Sequence, residues 1–114
     1  MPVVVFITAP KGKGEEIART LVEKRVAACV NVVNGVSSFY WWEGKLEADV
    51  EDLIIVKTCE EALGELERVV KEIHPYNVPE LIAVPIVGGL KEYLEWVCKE
   101  VRAGGSPASG GGEP

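Results

Sequence analysis

The chain is poor in several residues that most often announce chemistry. In 114 residues it holds one histidine, one methionine and three cysteines. A single histidine excludes a His-rich metal site built by one chain, because a soft or borderline metal wants several His or Cys ligands. Cys29, Cys59 and Cys98 are odd in number, far apart, and include no C-x-x-C pair. That excludes a zinc ribbon or a dense disulfide framework, and the expectation is three reduced thiols in a cytoplasmic protein. Positive charge is the scarcer sign, 12 Lys+Arg against 18 Asp+Glu for a net charge of −6. An acidic chain is a poor general nucleic-acid binder, whose affinity rests on Lys and Arg neutralising phosphates. No apolar run approaches the roughly 18–20 residues that span a bilayer, so no membrane association is expected. No basic segment precedes Val3–Ile7, so no secretory signal is expected either.

What is present fits one small domain with one core. Residues 1–102 read as the folded unit. Residues 103–114, AGGSPASGGGEP, hold five glycines and almost nothing to bury, and are expected to form a flexible tail.

Val3–Ile7 is a continuous β-branched and aromatic run, the pattern of a buried central strand. Ile17, Leu21, Val22 and Val26 recur at helical spacing over 15–26. A second strand runs from Ala28 to Tyr40-Trp41-Trp42, Glu43-Gly44-Lys45 turns the chain, and Leu46–Lys57 returns. The Leu53–Val56 stretch is apolar on both faces and is expected to be central and covered on each side. Thr58-Cys59-Glu60-Glu61 has capping-box form ahead of a helix carrying Leu63, Leu66, Val70 and Ile73. Leu81–Val87 is a fourth strand whose Pro85 demands an edge or a bulge. Leu90, Tyr93, Leu94, Val97 and Val101 mark a last helix.

The order β-α-β-β-α-β-α implies an α+β fold: a ferredoxin-like split β-α-β unit, an antiparallel sheet with two helices on one face and an added C-terminal helix. The hairpin strands, at 12–14 residues or roughly 40 Å, exceed what two short helices can cover. A hairpin that overshoots its core and ends in Tyr40-Trp41-Trp42 exposes aromatic surface and open edges, so an oligomer is expected in which the hairpin pairs with, or packs on, a neighbouring subunit.

Several stretches together resemble the CutA family, named for divalent-cation tolerance. They are Val22–Asn31 (VEKRVAACVN), Phe39–Glu47 (FYWWEGKLE), Val56-Lys57-Thr58, His74–Leu81 (HPYNVPEL) and Tyr93–Trp96, in the family's order. The resemblance implies a ferredoxin-like subunit forming a homotrimer similar in plan to the PII signalling proteins. It also implies a role in the response to metal ions, with copper binding. Relatives proposed to bind copper carry a cysteine in the first strand and a His-His-Pro run; Ile7 and Ile73 occupy those positions here, so only His74 remains of that set.

The candidate residues each carry a structural alternative. His74 and Cys29 are the candidate ligands for Cu²⁺ or another divalent metal; otherwise His74 serves a turn and Cys29 is a core thiol. Cys59, read into the first turn of a helix, could gain reactivity from the dipole, and Cys98 is assigned to packing. Glu47, Asp49 and Glu51 share one strand face and could hold a hard cation or simply meet solvent and neighbouring Lys or Arg. Lys11-Gly12-Lys13-Gly14 matches no phosphate-loop pattern and reads as a turn. Tyr40, Trp42, Lys57, His74, Tyr76 and Glu80 could converge at a subunit cleft as a site for a small anionic or polar ligand, or could staple the interface. An enzyme is not expected: Arg19, Arg25 and Arg68 fall in helical segments rather than in an anion cradle. Two functions follow, a divalent-cation tolerance protein and a PII-like module that binds a small ligand or protein partner in its intersubunit clefts.

Overall fold

The computed structural model describes residues 1–101; the tail expectation over 103–114 lies outside them. In chain order the elements are β1 (Pro2–Pro10), α1 (Gly14–Glu23), β2 (Cys29–Trp42), β3 (Lys45–Cys59), α2 (Leu63–Ile73, entered through a 3₁₀ turn at Glu60–Ala62), β4 (Leu81–Pro85) and α3 (Lys91–Glu100). The sheet order is β2-β3-β1-β4, with every neighbouring pair antiparallel. This is the α+β split β-α-β arrangement. β4 is an edge strand, which is where Pro85 can stand without costing a ladder hydrogen bond.

Strict alternation along β1 decides which face meets the helices. Val3, Val5, Ile7 and Ala9 are buried with Ile54 and Val56 of β3, under Ile17 and Leu21 of α1 and Leu66, Val69 and Val70 of α2. The opposite face carries Val4 and Phe6 of β1, Leu53 and Ile55 of β3, Val33 of β2, and Ile82 and Val84 of β4, all aligned by the strand register. These side chains are only half buried or are exposed, so β3 is central but is covered on one face alone. α3 packs across the end of this second face, against β3 and β1.

Three local features depart from the expected pattern. α1 stops at Glu23 because Arg25 adopts φ 62° and turns the chain back. The Arg25 amide donates to Val22 O (3.0 Å) and the Val26 amide to Leu21 O (3.2 Å), so Val26 packs from beyond the helix end as a Schellman closure. Arg25 therefore lies outside the helix assigned to it. In β2 the register slips between Val33 and Val36, where Asn34 and Gly35 (φ 75°) face one residue of β3. Finally, Thr58 does not cap α2. It belongs to the helix-facing side of β3 and its hydroxyl donates to Val26 O at 2.7 Å.

The hairpin closes with Trp42 paired to Lys45 and with Glu43 and Gly44 both at positive φ (48° and 79°), a two-residue turn of the type that matches strand twist. Around it Phe39 is 71%, Trp41 74% and Trp42 59% exposed.

Candidate functional site

The chain segment leaving α2 builds the most connected polar group of the molecule. His74 follows the helix, is buried, and uses both ring nitrogens. Nδ1 accepts the Tyr76 amide at 3.1 Å, so the ring proton lies on Nε2, which donates to Thr8 O at 2.7 Å. This locks the 74–76 turn onto β1. The turn aims Tyr76, whose ring lies 4.9 Å from that of His74, so that its hydroxyl donates to Glu51 Oε2 at 3.1 Å. Burial first, and then the Glu51 carboxylate, raise the Tyr76 phenol above its ordinary pKa. Glu80 accepts from Thr8 Oγ1 at 3.4 Å. On the hairpin, the Tyr40 hydroxyl donates to Asp49, and that bond is the main cause pushing its pKa up to about 12.

His74, Tyr76 and Glu80 thus come together with Glu51 and Thr8, and Tyr40 with Asp49 lies within electrostatic reach of Tyr76. The other two members of the expected cluster do not join them within one protomer. Lys57 is six residues beyond Glu51 on the same strand, about 20 Å away at ~3.3 Å per residue, and donates to Asn31. Trp42 stands at the hairpin tip, two residues past Tyr40. Lacking Lys57, the group is an acidic and phenolic shelf rather than an anion site.

Cys29 pairs in register with Lys57, whereas His74 binds the Thr8 carbonyl opposite Leu53, four residues away along β3. The two candidate metal ligands therefore do not share a site in one chain. Among the described residues, no three His, Cys, Asp or Glu side chains converge closely enough to hold a metal ion. Cys29 instead lies against Tyr93 of α3; burial and then the adjacent thiol raise the pKa of that phenol.

The expectation of three reduced thiols is corrected. Cys59 and Cys98 are joined by a disulfide, and Cys29 alone is free. Cys59 ends β3 rather than starting a helix, and α3 crosses the sheet so that the two Cα atoms stand 5.2 Å apart despite 39 residues of separation. Spacing along the chain could not reveal this, because the pairing depends on where α3 docks.

One buried group was missed. Asp52 is almost fully buried, and its Oδ2 accepts the Gly12 amide (3.0 Å) and the Gly14 amide (2.9 Å), while Oδ1 accepts the Gly35 amide at 3.4 Å. The Lys11–Gly14 loop thus spends two of its amides on the protein's own carboxylate. Gly14 is required for that approach: a Cβ there would lie 2.8 Å from the Asp52 Cβ and 2.9 Å from Val32 Cγ1. The only sequence signal is an acid at the edge of the apolar run Leu53–Val56; the glycines that meet it are 17 to 40 residues away along the chain.

The profile of the CutA1 divalent ion tolerance proteins matches residues 3–100. The chain belongs to the CutA1 family. It is 50% identical over 101 residues to the divalent-cation tolerance protein CutA of Thermus thermophilus, covering 85% of this chain and 95% of that one. It is 48% identical over 101 residues to the chloroplastic CutA 1 protein of rice, covering 88% of this chain but 57% of the rice protein. The chain thus spans a little over half the length of the plant relatives it matches. Among solved structures, the Thermus thermophilus divalent cation tolerance protein superposes with a TM-score of 0.87 at 46% identity, covering 90% of this chain and all of that one. The PII-like protein CutA from Nostoc sp. PCC 7120 superposes at 0.84 with 31% identity, covering 89% and 98%. The CutA1 fold therefore extends over both the hairpin and the 74–80 turn that form the shelf.

Proposed function

We propose that this chain works by binding rather than by catalysis, as a homotrimer in divalent-cation tolerance, with copper among its cations and the ligand seated between protomers. The shelf at the root of the bare hairpin carries the reading. Asp49, Glu51 and Glu80 meet phenols and a hydroxyl, and among the described residues none of them forms an ion pair. Carboxylate and phenol oxygens without a cation suit a divalent ion, and oxygens from a second protomer would complete a set that one chain does not assemble. Copper binding through His74 needs the Nδ1 lone pair now engaged by the Tyr76 amide, so that contribution is weak. The trimer itself draws on the exposed hairpin aromatics and the half-covered second sheet face, surfaces a monomer avoids.

Calorimetric titration of Cu²⁺, Zn²⁺ and Mg²⁺ into wild type, Glu51→Gln and His74→Ala tests the assignment. Glu51→Gln is expected to weaken binding of all three cations several-fold, and His74→Ala, which releases the turn that aims Tyr76 at Glu51, to weaken all three to a smaller extent. Isotherms unchanged by Glu51→Gln would overturn it. A second reading, a PII-like module for a small anionic ligand or a protein partner, is supported by the likeness to the Nostoc protein and by Lys57 and Asn31 at the far end of the same face. A thermal-shift screen of organic anions separates the two.

A further inference from the structure

α3 is held to the sheet by little besides its covalent bond. Of its residues only Val97 is buried; Leu90 before it, Tyr93 and Trp96 are exposed. Its other ties are the surface pair of Arg25 with Glu100, to the carboxylate at 2.8 Å and the carbonyl at 3.1 Å, and the contact of Tyr93 with Cys29. The disulfide is placed where it governs docking. Cys59 is the last residue of β3, buried and aligned with Lys57 and Ile55 on the second face, and Cys98 lies one residue after Val97. Without that bond, buried Val97, half-buried Leu94, the Tyr93 contact with Cys29 and one exposed ion pair hold a ten-residue helix, and exposed pairs contribute little.

We propose that the Cys59–Cys98 disulfide is a thiol-operated latch that fastens α3 over the end of the second sheet face and covers Cys29. Cys98 is partly exposed whereas Cys59 is buried, so an incoming thiolate reaches the Cys98 sulfur. A dithiol reductant attacks there, forming a mixed disulfide with Cys98 and expelling the Cys59 thiolate, which takes a proton. The reductant's second thiol then displaces Cys98 and leaves as its own disulfide. Two electrons and two protons pass to the protein and the latch opens; exchange with a disulfide oxidant runs the sequence backwards. The local effect follows from the division of labour in the fold: the core under α1 and α2 contains neither cysteine of the bridge. Opening therefore frees α3 and takes Tyr93 away from Cys29 while β1 and β3 stay folded.

Hydrogen exchange by mass spectrometry on the full chain, oxidised and after dithiothreitol, reads the latch directly. The expected result is at least tenfold faster exchange over residues 91–100 with β1 and β3 protection unchanged, reproduced without reductant by Cys98→Ser. In parallel, iodoacetamide should label Cys29 at least fivefold faster once the bridge is open, and Cys59→Ala should show the same gain. Equal exchange and labelling in both states, three free thiols in air-oxidised protein, or loss of β1 and β3 protection together with α3 would each overturn the proposal.

Discussion

Replacing Asp52 by alanine removes the one buried carboxylate that ties three separate segments together. Its bonds to the Gly12 and Gly14 amides are of full strength by length, 3.0 and 2.9 Å, and the Gly35 bond at 3.4 Å is weaker. A hydrogen bond to a charged group contributes about 1.5–3 kcal/mol, so the two short bonds together account for about 3–6 kcal/mol. Gly12 is exposed and its amide regains water in the variant, whereas Gly14 is buried and its amide does not. The expected loss is therefore about 3–4 kcal/mol, a large part of the 5–15 kcal/mol typical of a domain. Equilibrium urea unfolding at matched protein concentration measures it, with a midpoint shift of about 2 M for a slope near 2 kcal/mol/M. Asp52→Asn keeps one acceptor oxygen and should fall between wild type and alanine. A loss below 1 kcal/mol in Asp52→Ala would refute the clamp, and with it the account of why a glycine stands at 14.

Two smaller effects follow from the hairpin. Glu43 sits at φ 48° in a turn that favours Asn-Gly. Glu43→Asn should raise stability by about 0.5–1 kcal/mol in the same urea assay, and a decrease would contradict the turn assignment. Tyr40 donates to Asp49, which pushes its pKa up to about 12. A group raised in the folded state stabilises fully below its unfolded pKa of about 10 and loses that contribution as pH climbs from about 10 to 12. All three tyrosines are raised above the ordinary phenol range, so the reading is the difference between proteins. In phenolate absorbance the latest step of wild type should move toward 10 in Asp49→Asn, and no such movement would remove the Tyr40–Asp49 bond from the account.

Much of the fold was legible because alternation and helical spacing report directly on burial. Val3–Ile7 as an inner strand, Pro85 on an edge and the overlong hairpin all follow from local pattern, and the structure agrees on each. What escaped depends on contacts between distant segments. Arg25 entered a left-handed conformation only because Val26 is drawn back over Leu21. The Asn34-Gly35 slip accompanies the single residue Asp52 opposite it, and the disulfide waits on the docking of α3. The candidate site was half visible. His74, Tyr76 and Glu80 are close in sequence and remain close in space, whereas only the strand register places Lys57 at the other end of β3.

Sedimentation equilibrium at micromolar concentration tests the central claim, that exposed indoles and a half-covered sheet face are completed by sister copies. The account predicts a single species of about 37 kDa, three times the 12.4 kDa chain, and a stable 12.4 kDa monomer would contradict it.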